Sequence, residues 1–182
     1  MKTSPRIYLD SCVLIDIVKE KVGSLPTDRN LDVWYLKQLL QAHRAREVVL
    51  LTSFLSTAEC VAIEAGQTLV SPVVQEHFRS LITSGQYLSL VANSPSMGAI
   101  AQDLRWKHSV VLGGPDVLHV ASAMDAKCVE FLTTDDRLQK PKVANAAQAL
   151  GALGLKMIRA RDTKHLPDAY RQGDLENGRP EN

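Results

Sequence analysis

A chain of 182 residues can bury one sizeable core and is too short for two domains to be the natural expectation. Hydrophobic residues make up 45% and charged residues 23%, the balance of an ordinary globular protein, and a formal charge of +1 gives no global reason to expect a polyanion partner. Any nucleic-acid contact would have to be a local patch.

Residues 6–9 read as a first strand and 12–20 as a helix. The stretch "KVGSLPTDRN" (21–30) is rich in turn formers, with Asp28 placed to cap a helix running to about Arg46. On that helix Val33, Leu36 and Leu40 share one face, widened by Leu39 and flanked by Trp34 and Tyr35. "VVLLTS" (48–53) does not alternate with polar residues, as in a strand buried on both faces. Ser53 or Ser56 is placed to cap a helix from Thr57 to Ala65, and a further helix spans 70–84. "YLSLV" (87–91) is a third strand, and Ser94 or Ser96 opens a helix to about His108. "GGP" (113–115) breaks the chain before a compact helix over 116–127. "VEFLTT" (129–134) is a fourth strand, a helix over 143–152 stops at Gly154, and "LKMIRA" (155–160) is a fifth strand.

Helices alternating with short apolar strands predict an α/β fold with a parallel sheet. One domain over 1–162 is expected, followed by a polar tail over 163–182, ending "RQGDLENGRPEN", that frays. Cys12, Cys60 and Cys128 are odd in number and form no CxxC pair, so neither a disulfide framework nor a thiolate metal site is expected. A reducing cytoplasm suits them. The N-terminus lacks the apolar core of a signal peptide, and no run has the length of a membrane span.

In open parallel sheets function gathers beyond the carboxyl ends of the strands. Asp10 follows the first strand, Asp135 and Asp136 follow the fourth, Glu59 falls in the helix after the second, and Asp116 opens the helix after "GGP". Each acid alone could be a helix cap or a solvated side chain. Capping does not require four acids at one sheet edge, and clustered carboxylates repel unless compensated. A hard divalent cation such as Mg²⁺ or Mn²⁺ is the usual compensation.

"IYLDSCVLI", "TSFLSTAECVA", "GPDVLHVASAM" and "FLTTDDRL" together resemble the four acidic blocks of PIN-domain ribonucleases, most of all the VapC-type toxins of toxin–antitoxin pairs. The resemblance runs from about Arg6 to Ala160, with the blocks in the family's order. It implies a PIN-like three-layer α/β/α sandwich around a mostly parallel five-stranded sheet. It further implies that Asp10, Glu59, Asp116 and Asp135 are the metal-binding catalytic acids, with Ser11 and Thr133 in supporting hydroxyl positions; Asp136 is the lesser choice for the fourth acid. The implied reaction is Mg²⁺- or Mn²⁺-dependent hydrolysis of RNA, leaving a 5′-phosphate and a 3′-hydroxyl. The implied partners are an antitoxin protein and a second copy of the chain as a homodimer, with the face of 31–40 as one place for either; an ordinary core face is the default there.

Substrate contacts are sought among His119, Arg105, Lys107 and Arg137, with Lys140 and Lys142 nearby. His119 lies one turn after Asp116 and is expected at the edge of the core rather than on substrate, and Trp106 is expected in the core rather than stacked on a base. The alternative function is a PIN-like module that binds RNA or protein without cutting. A phosphatase of the haloacid dehalogenase type fits less well, because Cys12 stands where its second aspartate would be.

Overall fold

The computed structural model describes residues 4–135 and 141–171, the side chains of 141–144 excepted. In chain order the elements are β1 (Arg6–Leu9), α1 (Ser11–Lys21), α2 (Asn30–Arg44), β2 (Val49–Ser53), α3 (Leu55–Glu59), α4 (Pro72–Thr83), β3 (Ser89–Val91), α5 (Pro95–Trp106), α6 (Gly114–Asp125), β4 (Glu130–Leu132), α7 (Pro141–Ala152), β5 (Lys156–Ile158) and α8 (Asp168–Arg171).

The strands form one sheet in the order β3-β2-β1-β4-β5. All four pairings are parallel, so the sheet is wholly rather than mostly parallel. The chain builds outward from β1 to β3 on one side, then returns to place β4 on the other side of β1. The strand order thus reverses between β1 and β4, the position where open parallel sheets characteristically bind ligands.

Alternation along the strands divides the core in two. Ile7, Leu9, Leu50 and Leu132 face α1, α2 and α4, where they meet Leu14, Leu36, Leu39, Phe78 and Leu81. Tyr8, Leu51 and Phe131 face the other way, against Leu104, Val120, Ala123 and Leu150 of α5, α6 and α7. The register agrees, with Ile7 beside Leu50 and Tyr8 between Leu51 and Phe131. Covering both faces explains why Ile7–Leu9, Leu50–Leu51 and Phe131–Leu132 are consecutive apolar residues rather than alternating with polar ones. The face of α2 is largely core, as the default reading holds: Val33, Leu36 and Leu39 are buried, with Trp34, Tyr35 and Leu40 packed beside them.

Caps set several helix ends. The Ser71 hydroxyl accepts from the Val74 amide and Pro72 follows at the first helical position of α4. Ser94 does the same for Met97 in α5. Gly154, after α7, has φ +91°, a region L side chains rarely adopt, and nothing would touch an added Cβ there. Gly154→Ala is therefore expected to cost about 1 kcal/mol by conformational strain alone, read as a lower urea midpoint with unchanged m.

Two expectations need correction. Asp28 does not cap α2: it lies in a short 3₁₀ turn, Thr27–Arg29, and its carboxylate sits 3.6 Å from Arg29 Nε. The helix expected from Thr57 to Ala65 is instead the five-residue α3, which begins without a side-chain cap. Its two expected caps are used elsewhere, Ser53 on His119 and Ser56 on Thr52. Of the expected tail, residues 163–171 are described and held to the domain, and 172–182 lie outside the described residues. Glu130, buried in β4, accepts from Thr163 Oγ1 at 2.5 Å and from the Lys164 amide at 3.2 Å. That buried acid needs donors, and it ties down the segment that carries Leu166 into the core and Tyr170 against it. Among the described residues no helix is long and apolar enough to cross a membrane.

Candidate active site

Asp10 leaves β1 at its carboxyl end and caps α1. Its amide donates to Leu132 O at 3.0 Å, extending the β1–β4 ladder by one bond at the strand-order switch. Its Oδ1 accepts from the Ser11 amide at 2.8 Å, and its Oδ2 accepts from Cys12 Sγ at 3.1 Å. Burial pushes this carboxyl above its ordinary range, opposed by nearby His119 and by the donors Cys12, Thr133 and the Ser11 amide. Burial and the Asp10 charge also push the Cys12 thiol well up, which keeps it a proton donor.

Glu59 arrives from the last residue of α3. Its Oε2 accepts from Ser11 Oγ at 2.5 Å and lies 2.8 Å from His119 Nε2. His119, only 1% exposed, projects from α6, and its Nδ1 lies 2.7 Å from the Tyr8 hydroxyl. Burial holds the Tyr8 hydroxyl far above its usual value, so it stays protonated at this contact. Nε2 faces a carboxylate oxygen, which can only accept, so it donates to Glu59. A buried string of hydroxyls continues below: Thr52 Oγ1 contacts Ser56 Oγ at 2.6 Å, and Ser11 Oγ reaches Ser56 Oγ at 3.2 Å.

Asp116 occupies the first turn of α6, one turn before His119. Its Oδ2 lies 3.2 Å from where a Cβ on Gly113 would be, so the carboxylate folds back over the helix start and glycine leaves it room. Thr133 Oγ1 accepts from the Asp135 amide at 3.1 Å and lies 3.1 Å from Cys12 Sγ, so the end of β4 is tied to the start of α1. Thr134 strengthens the tie, with its amide on Cys12 Sγ and its hydroxyl on the buried Asp16.

The structure thus joins Asp10, Ser11, Glu59 and His119 in one network and places Asp116 and Asp135 by their own local turns. Among the described residues no three or more His, Cys, Asp and Glu side chains are grouped to hold a metal ion. The donors fit a hard cation in kind, being carboxylate oxygens, and Mg²⁺ characteristically keeps several waters and takes one or two carboxylates. A preformed cage of three acids is therefore not required of such a site.

His119 is too deeply buried to touch a substrate and serves Glu59 instead. Arg105 and Lys107 are exposed, Lys107 paired with Asp103 at 2.8 Å. Trp106 is 72% exposed, contrary to its expected burial. Ser94 and Ser96 at the start of α5 bond Asp125 at the end of α6, and the two helices pack along each other. The end of α5, with these three residues, therefore lies on the same side as the start of α6. Arg137, Asp136 and Lys140 lie outside the described residues, as does the side chain of Lys142. Sequence reasoning missed Tyr8 and Cys12. Their positions two residues either side of Asp10 were the available signal.

No family model matches the chain, and no curated protein matches it. Among solved structures it is similar to a chain of VapBC2 from Rickettsia felis bound to a DNA fragment from their promoter, at 12% identity over 84% of this chain and 98% of that chain, with a TM-score of 0.50. The likeness is one of fold: a PIN-like α/β domain whose central five-stranded sheet is wholly parallel and flanked by helices.

Proposed function

We propose that the chain is a Mg²⁺- or Mn²⁺-dependent endoribonuclease and the toxin of a toxin–antitoxin pair. The observation that carries the proposal is the position of Asp10 and Glu59, two residues 49 positions apart in sequence, bridged by Ser11 at the strand-order switch. A capping role explains Asp10 but not Glu59, whose carboxylate is drawn to the same spot from another element.

Asp10, Glu59, Asp116 and Asp135 would hold the ion or ions. When bound, these supply charge to offset the scissile phosphate and lower the pKa of a water that attacks it. Ser11 fixes Glu59 and, through its amide, Asp10. Thr133 shapes the turn that carries Asp135. Arg105 and Lys107 at the end of α5 offer cations for RNA phosphates, and exposed Trp106 offers a face on which a base can stack.

The VapBC2 likeness supports an antitoxin as partner. A cavity of about 290 Å³ between α1, α2 and α4 suits an acidic, amphipathic segment: Ile17, Leu40 and Leu81 line it, with Lys21, Lys37 and Arg44 among them. Exposed Phe54, Val61, Leu69 and Val73, along the α3–α4 stretch, would be covered in a homodimer.

The test is cleavage of total RNA by purified chain with Mg²⁺ or Mn²⁺ and with chelator. Metal-dependent cutting is expected, slowed at least about 100-fold in Asp116→Ala. A non-cutting PIN-like module is the second reading, favoured by the lack of a preformed group of three acids among the described residues. RNA bound but left whole with metal present would establish that reading instead.

A further inference from the structure

We propose that Tyr8 and His119 are a buried positioning pair that fixes the Glu59 carboxylate, holding Oε2 inside the protein and leaving Oε1 for a metal ion. The inference rests on the reading of Glu59 as a metal-binding acid. Glu59 Oε2 takes both donors, Ser11 Oγ at 2.5 Å and His119 Nε2 at 2.8 Å, while Oε1 takes no protein donor among the described residues. The two donors differ in stiffness. The Ser11 hydroxyl rotates and has a second partner in Ser56 at 3.2 Å, so by itself it leaves the carboxylate free to turn.

The imidazole has no such freedom. It is buried, Tyr8 binds its far nitrogen at 2.7 Å, and the Ser53 hydroxyl lies 3.2 Å from that nitrogen. Tyr8 is itself locked, stacked on Phe131 with ring centroids 5.2 Å apart and planes 8° apart. Its backbone belongs to the central strand, two residues before Asp10. One strand therefore places Asp10 directly and Glu59 through a rigid chain of two rings. Partners of this kind orient metal ligands, and their loss typically weakens metal binding about 10–100-fold.

The experiment is Mn²⁺ binding to the full chain, read from the electron paramagnetic resonance of the free ion, with circular dichroism to establish folding. His119→Leu is expected to weaken binding about 10-fold or more, and Tyr8→Phe, which removes one oxygen, about 3–10-fold. His119→Gln, whose side-chain amide can donate to Glu59, should stay within about 3-fold of wild type. If His119→Leu does not fold, Tyr8→Phe and the Gln variant decide the matter. Wild-type affinity in folded Tyr8→Phe, or a Gln variant as weak as Leu, would overturn the positioning role while Asp10→Ala still abolished binding. No Mn²⁺ binding by wild type would instead overturn the metal-site reading, and the pair's role with it.

Discussion

Asp10→Asn should abolish RNA cleavage and, at neutral pH, raise the melting temperature of the metal-free protein. The loss of activity is expected to reach about 10³-fold, on the order of 4 kcal/mol of transition-state stabilisation, because a neutral amide replaces a charged ligand. The gain in stability follows from the buried carboxyl, which desolvation holds above its ordinary range. A carboxyl raised in the folded state contributes stability that is complete below its unfolded value and is lost as pH climbs through the folded one. At neutral pH the ionised group therefore costs stability, and asparagine removes that cost while still accepting the Ser11 amide as a cap. Melting curves in chelator should show the gap between variant and wild type closing as pH falls into the carboxylate range. Added Mg²⁺ should stabilise the wild type and leave the variant unchanged. A variant less stable than wild type at pH 7 in chelator would sink the argument that the site holds its acid under strain.

Asp32→Ala should cost about 3–5 kcal/mol in urea unfolding, near the lower figure. Asp32 is 0% exposed in the first turn of α2. Arg161 donates to it three times, from its amide at 3.2 Å, Nε at 3.1 Å and Nη2 at 2.7 Å. Arg159 Nε lies 3.2 Å away, close enough for charge attraction although its Nε and Nη2 make no hydrogen bond. Removing the acid leaves two neighbouring guanidinium groups without their anion. Arg161 is 31% exposed and can turn to water, which keeps the cost near the lower figure. The same contact anchors the chain after β5 to α2, so the variant should also expose 160–171 to faster hydrogen exchange. A change under about 1 kcal/mol would mean that the arginines are satisfied by solvent and the anchor is dispensable.

The candidate acids stood out because Asp10 and Asp135 follow strands and Asp116 opens a helix, while Glu59 was placed only as falling in the helix after the second strand. How they are held was not legible. Nothing along "IYLD" says that Tyr8 reaches His119, 111 residues later, since that contact depends on which helix covers which face. His119 is buried, in line with the core-edge reading, but its partners Tyr8, Ser53 and Glu59 come from three other segments that its own helix does not announce. Trp106 was assigned to the core on its apolarity, but it ends α5 beyond the last buried position, Leu104. The hold on Thr163 was hidden as well, because its partner Glu130, a buried acid that needs donors, lies 33 residues upstream.

The sequence by itself determined the alternation of helix and strand, the buried character of β1, β2 and β4, and the acids at the strand ends. These are local properties, carried by side-chain volume, apolar periodicity and capping chemistry. Only the tertiary structure decided the strand order, and with it the switch between β1 and β4. It likewise decided the pinning of Glu59 by Ser11 and His119 and the docking of 163–171. Each of these is a buried polar group finding its partner across long sequence distances, and such pairings exist only once the sheet has brought the elements together.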